Sequence, residues 1–346
     1  YVLESGITFK EAFSILNYNI YLKLFAVFKS NNKIKIELEN GLNISGIIYA
    51  DLLNSLISPT FFQTLLIDIA MKKIDLSGIE KLLFRLEFQP FERAILYNTK
   101  NKVKTIGFQH SALSKNFLNY IFIKDELKGH WNNRSDSISM PLPDYIFTSG
   151  STGFDYMVEA GYPIDQIFIC GGIRYNELRE KAPHMSSRKK LRIEKNISIS
   201  DIIIFVASTP IIFETIGMLN SILQALIMLE DKKTQYQVII KHHPNTKNMS
   251  KYINEIEKTM QSWEGVIPYK AYWEGVDIHE TIKVSNFVIT TGGTIPLEAM
   301  ILGVPTIIYS INNQFSHNPL LEYPQSTLIV NDNESMYKAL NKLKNS

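Results

Sequence analysis

Residues 290–305, TTGGTIPLEAMILGVP, form the corner that decides the fold of this chain. They follow the apolar run 287–289, which predicts a buried strand, and they turn on two glycines into a helix. Thr294 occupies an N-cap position, and Pro296 fits a first helical turn, where a missing N–H is tolerated. Glycines and free backbone amides at such a corner suit an anion, most simply a phosphate, with Glu298 near enough to bind sugar hydroxyls. The alternative is an ordinary corner of an α/β domain without a ligand.

Composition describes a globular chain of 346 residues, long enough for two domains, with 45% hydrophobic and 20% charged residues. The net charge of +2 does not indicate a nucleic-acid-binding protein, which would need a strongly basic domain. The single cysteine, Cys170, excludes an internal disulfide framework and a cysteine-rich metal site. No signal peptide or apolar run of about 18 residues is visible. Because the chain begins at Tyr1 without Met, we expect an upstream element to be missing.

Strands alternate with helices in both halves of the chain, which predicts parallel sheets covered by helices. The strands expected in the first half are 47–50, 82–86, 103–108, 145–148 and 167–170. Those expected in the second half are 202–207, 237–241, 266–269, 287–289, 306–309 and 327–330. We predict an N-terminal domain at 1–172, a linker at 173–200 whose basic run 188–192 is a solvated face, and a C-terminal domain at 201–346.

Residues just beyond the strands of the first half are candidates for catalysis, because ligands bind at the carboxyl ends of parallel strands. Glu87 follows one strand, where partial burial would raise its pKa and suit it to accept a proton. Glu92 lies in the next helical turn, where the alternative is simple stabilisation by the helix dipole. His110 follows the neighbouring strand, and its alternative is a structural, hydrogen-bonded histidine.

The strand ends of the second half offer nucleotide-binding candidates. His243 and Pro244 follow strand 237–241, and a histidine held by a rigid proline can donate to a phosphate. Lys241 adds positive charge there. His242 points to the opposite face and is expected to pack, so the two histidines do not predict a metal site. Glu274 lies where such folds hold a ribose.

Absent motifs narrow the chemistry further. No Gly-x-Gly-x-x-Gly or Walker loop follows a strand, which disfavours dinucleotide oxidoreductases and P-loop enzymes. No Gly-x-Ser-x-Gly elbow is present, which disfavours an α/β-hydrolase. No Asp-x-Asp pair is present, which disfavours a metal-dependent nucleotide-sugar site. We therefore predict no metal and no cofactor, with a nucleotide sugar as co-substrate.

The corner at 290–305 and the His243-Pro244 pair resemble those of GT-B glycosyltransferases, whose α/β fold has two Rossmann-like domains with parallel sheets facing across a cleft. Residues 87–94, 107–111, 143–145 and 160–163 are similar to bacterial capsule and O-antigen biosynthesis proteins. The His-Pro pair is similar to that of sialyltransferases and Kdo transferases, where it contacts the phosphate of a CMP-sugar. This chain departs from the sialyltransferases in lacking their acidic-acidic-Gly motif.

The resemblance implies a cytoplasmic, metal-independent glycosyltransferase at the inner membrane. It would move a sugar, first of all a CMP-activated ulosonic or nonulosonic acid, to a glycan or lipid-linked glycan acceptor. Glu87 would be the base, with His110 assisting and Glu92 nearby. The nucleotide would be bound by His243, Pro244, Lys241, Glu274, Thr291, Gly292, Gly293, Thr294 and Glu298. Three alternatives remain: a UDP-sugar 2-epimerase, a CDP-polyol phosphotransferase and a non-catalytic glycan-binding module.

Overall fold

The computed structural model describes residues 6–30, 35–114, 116–122, 126–127, 140–229, 235–311 and 318–344. The chain divides into two compact units. Unit 1 comprises Tyr1–His110 and Leu118–Gly171, and unit 2 comprises Ser111–Phe117 and Gly172–Ser346. Each unit contains one parallel sheet, so an α/β organisation is present in both.

Unit 1 begins with three helices and continues as alternating strands and helices. Its elements are α1 (Phe9–Ser30), α2 (Ser45–Ile57), α3 (Pro59–Lys73), β1 (Lys81–Leu86), α4 (Pro90–Thr99), β2 (Lys104–Gln109), β3 (Tyr145–Thr148), α5 (Ser151–Glu159) and β4 (Ile167–Ile169). The four strands pair in chain order, all parallel. In the register of β1 and β2, Leu86 lies opposite Gln109, so the residues that follow them share one edge.

Unit 2 contains the longer alternating run. Its elements are α6 (Ile173–Lys181), α7 (Arg188–Glu194), β5 (Ile202–Ala207), α8 (Ile212–Met228), β6 (Tyr236–Lys241), α9 (Ser250–Gln261), β7 (Tyr269–Tyr272), α10 (Ile278–Val284), β8 (Phe287–Thr290), α11 (Ile295–Ile301), β9 (Thr306–Tyr309), β10 (Thr327–Val330) and α12 (Asn333–Lys344). The sheet is six-stranded and parallel, in the order β10-β9-β8-β5-β6-β7.

The core of unit 2 lies on both faces of its sheet, because successive strand residues point to opposite sides. On one face, Ile204 and Val206 pack with residues of α8, α9 and α12. On the other face, Phe205 and Ala207 pack with residues of α6, α10 and α11. This double burial explains why β5 is a continuous apolar run in the sequence.

Two predicted strands differ from the structure. Residues 47–50 belong to helix α2, because a run of four apolar residues fits either period and the helix-forming residues that follow decide it. The strand expected at 266–269 is displaced to β7, Tyr269–Tyr272. Pro268 offers only its carbonyl to the N–H of Val238, at 3.0 Å, so the paired strand begins after it.

The stretch expected to be a linker, 173–200, contains helices α6 and α7 and lies in unit 2. Its basic run was predicted to be solvated, and this is wrong for Arg192, which is only 3% exposed. The Arg192 guanidinium donates to the carbonyls of Val284, Ile199 and Asp201 and to Asn286 Oδ1. Charge in the sequence could not reveal that these carbonyl groups need a donor.

No single helix in the described part of the chain is long and apolar enough to cross a membrane. Helices α2 and α3, bent by 51° at their junction, meet the criteria of length and composition only when taken together.

Candidate functional site in unit 2

A cavity of about 500 Å³ lies at the carboxyl edge of the unit 2 sheet, and we call it the main cavity. Strands β5, β6, β8 and β9 all end at it. The chain leaves β5 in one direction to β6 and returns on its other side at β8, so the cavity lies at a topological switch point, the usual ligand position in open α/β sheets. Its lining is Arg174, 207–211, Glu214, 241–244, Ile278, 290–295 and 309–311.

The glycine turn, residues 291–294, forms one wall of the main cavity. Gly292 has a φ of 154° and Gly293 a φ of 79°, conformations that side-chain-bearing residues rarely adopt. The helix after the turn, α11, has only seven residues, so backbone amides of the turn matter more here than a helix dipole. Pro296 lies in its first turn, as the sequence predicted.

Thr294 precedes α11 but makes no capping hydrogen bond. Its backbone is helical instead of extended, which turns the hydroxyl away from the helix amides. Thr294 Oγ1 accepts a hydrogen bond from Arg174 Nη2 at 3.4 Å. The predicted N-cap role of this hydroxyl is therefore wrong, and the hydroxyl instead joins the glycine turn to the start of α6.

His243 lines the main cavity in a defined protonation state. Its Nδ1 accepts a hydrogen bond from the backbone N–H of Asn245 at 3.2 Å, which places the proton of the neutral ring on Nε2. Burial lowers the pKa of His243 below its usual value, so the ring is neutral at pH 7. Nε2–H is therefore a neutral hydrogen-bond donor, suited to a phosphate oxygen.

The backbone of His243 is held by a buried polar network. Its N–H donates to Ser208 Oγ at 3.1 Å, and the same oxygen accepts from the Tyr252 hydroxyl at 3.3 Å. His242 is 3% exposed and its ring stacks on Trp273 at a centroid distance of 4.2 Å. Burial, with a smaller contribution from the charge of Lys241, lowers the pKa of His242 to about 4. His242 is thus a neutral packing residue, as expected.

Two other predicted nucleotide-binding residues have partners of their own. Lys241 lines the main cavity, but its Nζ donates to the backbone carbonyl of Trp273. Glu274 is outside the cavity lining and forms an exposed ion pair with Lys247, with Nζ and Oε1 2.8 Å apart. The structure therefore brings Lys241 to the cavity wall and leaves Glu274 away from it.

Glu298 lies in a second depression of about 350 Å³, beside the main cavity. The two share Arg174, Ile278, Thr294 and Ile295 in their linings. Glu298 is 7% exposed, and its Oε2 lies 3.5 Å from His279 Nε2. The predicted glycine turn and Glu298 are thus neighbours that face two adjoining spaces.

The polar residues Arg174, Ser208 and Glu214 also line the main cavity, and none of them was predicted as a site residue. Ser208 could have been found, because it directly follows strand β5. Glu214 was harder to find, since it lies in the first turn of α8, where an acidic residue needs no functional explanation. Arg174 lies in the stretch that was taken for a linker.

The predicted catalytic residues all lie in unit 1, at the carboxyl edge of its sheet. Glu87 and His110 are half-buried and directly follow the paired strands β1 and β2. Glu92 is 2% exposed, and its Oε2 accepts from the N–H groups of Glu87 and Gln89, at 2.8 and 3.1 Å. Burial raises the pKa of Glu92, although these two amides favour its ionised form. Glu92 therefore fixes the backbone of Glu87 and is itself enclosed.

The described residues contain no group of three or more histidine, cysteine, aspartate or glutamate side chains placed to hold a metal ion. The main cavity offers a ligand backbone amides, an imidazole, hydroxyl groups and the charged side chains of Arg174, Glu214 and Lys241. Such a set suits a phosphorylated, hydroxyl-rich ligand.

Residues 138–346 match the model of the UDP-N-acetylglucosamine 2-epimerase family, and this match spans more than half of the chain, including the main cavity. The chain belongs to the UDP-N-acetylglucosamine 2-epimerase family. No curated protein matches the chain in sequence.

Solved structures of this epimerase family share the fold of the chain. The S. aureus MnaA–UDP co-structure has a TM-score of 0.56 at 15% identity, covering 84% of this chain and 74% of that one. The Neisseria meningitidis UDP-GlcNAc 2-epimerase bound to UDP-GlcNAc also has a TM-score of 0.56, at 14% identity, covering 85% and 76%. The Methanocaldococcus jannaschii UDP-GlcNAc 2-epimerase has a TM-score of 0.53 at 17% identity, covering 84% and 77%. The predicted GT-B type of fold, with two Rossmann-like domains, is confirmed.

The predicted activity is wrong. The family match and these neighbours are UDP-N-acetylglucosamine 2-epimerases, not glycosyltransferases that use a CMP-activated acid. A UDP-sugar 2-epimerase was one of the three alternatives to the predicted glycosyltransferase. The glycine corner and the His-Pro pair indicate the fold. They carry no information about which bond breaks, so the sequence motif supported the fold more strongly than the reaction.

Proposed function

We propose that this chain is a nucleotide-sugar 2-epimerase that acts on UDP-N-acetylglucosamine. Membership of the epimerase family is the observation that carries this proposal. The main cavity supports it, because the glycine turn and His243 Nε2–H offer neutral donors for a diphosphate at the switch point of the sheet. The related S. aureus structure contains UDP, and the related Neisseria meningitidis structure contains UDP-GlcNAc.

The reaction sets a clear chemical demand. C2 of the sugar has no neighbouring carbonyl group, so its proton is not acidic enough for direct exchange. Inversion without an oxidant is possible if a base removes the C2 proton while the C–H electron pair forms a C1=C2 double bond. The C1–O bond breaks in the same step, because C1 cannot hold five bonds, and its electron pair leaves with UDP. Return of a proton to the other face of C2 and of a phosphate oxygen to C1 completes a balanced cycle.

The unit 2 residues meet the leaving-group part of this demand. UDP gains negative charge on its β-phosphate as the C1–O bond breaks, and preorganised donors stabilise that charge. We assign this role to the amides of Gly292 and Gly293 and to His243 Nε2–H. Pro244 and the Ser208 hydroxyl fix the position of His243, while Thr291 and Lys241 complete the wall.

The proton transfers need groups outside this wall. We assign them to Glu87 and His110, which lie at the carboxyl edge of the unit 1 sheet on adjacent strands. Glu92 is a positioning residue for Glu87, since it binds the Glu87 backbone N–H. An epimerase needs no acceptor, so we propose no glycan acceptor for this chain. The cytoplasmic location and the contact with the inner membrane stay predictions.

Product analysis tests the proposal. The protein is incubated with UDP-N-acetylglucosamine and no acceptor, and the nucleotide sugars are separated and identified by NMR. The expected product is UDP-N-acetylmannosamine. Reactions started from either of the two nucleotide sugars should reach the same equilibrium mixture. Glu87→Gln should lose most of this activity and still bind UDP. Unchanged substrate in the presence of demonstrable binding would contradict an epimerase and favour a non-catalytic binding module.

A further inference from the structure

Glu214 connects two loops at the switch point of the unit 2 sheet. Its Oε2 accepts hydrogen bonds from Thr209 Oγ1, at 3.2 Å, and from Thr291 Oγ1, at 3.3 Å. Thr209 follows β5 and Thr291 follows β8, and these two strands are neighbours. Two donors on one oxygen hold the half-buried carboxylate in a fixed orientation.

The other carboxylate oxygen is available to a ligand. None of the described residues donates a hydrogen bond to Glu214 Oε1, and the residue lines the main cavity. Glu214 is the only carboxylate in the described lining, whose other polar groups include amides, hydroxyls, an imidazole and the Arg174 guanidinium. A carboxylate only accepts hydrogen bonds, so it complements a ligand group that carries a hydrogen to donate.

A fixed negative charge in this position also excludes ligand groups. Two like charges a few ångströms apart repel strongly when they are partly shielded from water. A phosphate or carboxylate is therefore disfavoured next to Glu214, whereas a hydroxyl or an amide N–H is favoured. This asymmetry would direct the diphosphate toward His243 and the Gly292 and Gly293 amides, and the neutral sugar toward Glu214 and the Thr291 hydroxyl that contacts it.

We propose that Glu214 determines sugar specificity: its Oε1 accepts a hydrogen bond from a hydroxyl or acetamido N–H of an uncharged hexose, and its charge rejects sugars that carry a carboxylate. This inference rests on the proposed function, because it assumes that the main cavity holds a nucleotide sugar.

Calorimetric binding tests the proposal with three probes: UDP, UDP-N-acetylglucosamine and UDP-N-acetylglucosaminuronic acid. The wild type should bind the neutral sugar nucleotide at least about tenfold more tightly than the uronic acid. Glu214→Gln keeps the shape and one acceptor but removes the charge, so it should reduce this ratio by about tenfold without weakening UDP. Glu257→Gln, the same change on the exposed face of α9, should leave the ratio as in the wild type.

Thr291→Val provides a second variant that keeps the charge. It removes one of the donors that orient the carboxylate, so it should weaken UDP-N-acetylglucosamine more than UDP and keep the rejection of the uronic acid. An unchanged ratio in a folded Glu214→Gln protein, or a wild type without preference, would overturn the role of Glu214. Binding with the expected preference but without epimerisation would instead overturn the proposed function alone. Failure to bind any of the three probes would overturn both.

Discussion

His243 has the best-defined chemistry of the residues in the main cavity. The N–H of Asn245 fixes its tautomer, the Ser208 hydroxyl fixes its backbone, and burial keeps it uncharged at neutral pH. A neutral donor stabilises a departing phosphate without binding the resting diphosphate as tightly as a cation would. This property suits a reaction in which the same UDP must leave and return.

Replacing His243 tests this role. We expect His243→Ala to lower kcat/KM for epimerisation by about 100-fold, since loss of one preorganised donor to a developing oxyanion costs roughly that much. Steady-state kinetics measures the loss, and His184→Ala, an exposed histidine of the same unit, is the matched control. A His243→Ala protein with wild-type kinetics would remove the imidazole from the mechanism.

His242 makes the stability of unit 2 depend on pH. Its pKa is about 4 in the folded protein, against about 6.5 for an unfolded histidine, so the unfolded chain binds the proton more readily. The contribution of neutral, buried His242 to stability is fully present above pH 6.5 and is lost as the pH falls from 6.5 toward 4. By linkage, the free energy of unfolding should fall by about 2 kcal/mol between pH 7 and 5 because of this residue.

Urea unfolding at pH 7 and at pH 5, monitored by tryptophan fluorescence, measures this loss. His242→Phe keeps an aromatic ring against Trp273 and removes the titrating group. Between pH 7 and 5, the free energy of unfolding of this variant should therefore fall by about 2 kcal/mol less than that of the wild type. An equal loss in the variant and the wild type would show that other groups cause the pH dependence.

At the scale of elements, strand positions followed from the sequence with few exceptions. The buried strand β5 and the glycine turn after β8 were predictable, because an apolar run and paired glycines each have one dominant physical explanation. The displacement of β7 and the helical state of 47–50 were not predictable. Short apolar runs fit two periods, and pairing with a neighbour decides where a strand begins.

Helix α7 shows a second limit of sequence reasoning, because its attachment depends on groups far along the chain. Arg192 satisfies carbonyls of residues 199 and 201 and also the carbonyl of Val284, which ends α10. The candidate site has the same limit: Glu214 and Arg174 reach the main cavity through contacts that no local pattern encodes. Strand-end residues such as His243 were accessible, because topology alone places them there.

Truncation of Arg192 is expected to be severe. Arg192→Met leaves several buried carbonyl oxygens without a donor, so the free energy of unfolding should fall by about 3 kcal/mol or more. Lys190→Met, two residues away and exposed on the same helix, should change it by less than about 0.5 kcal/mol. Urea unfolding compares the two variants, and equal stabilities would show that Arg192 does not hold α7 in place.

At the scale of the whole molecule, the fold extends over both units, whereas the family match covers only part of the chain. Both units contain a parallel sheet, and each sheet presents polar side chains at its carboxyl edge. The family match extends over residues 138–346, and thus over all of the main cavity. Binding of UDP is therefore expected from unit 2, whereas the proposed base, Glu87, lies outside the residues that the match covers.

Exchange of the C2 hydrogen with solvent tests the central claim most directly. The protein is incubated with UDP-N-acetylglucosamine in deuterium oxide without an acceptor, and the C2 position of both nucleotide sugars is followed by proton NMR. An epimerase should form UDP-N-acetylmannosamine and replace the C2 proton by deuterium in each product molecule. If the protein binds UDP-N-acetylglucosamine but the C2 proton stays in place and no second sugar forms, the chain is not a 2-epimerase.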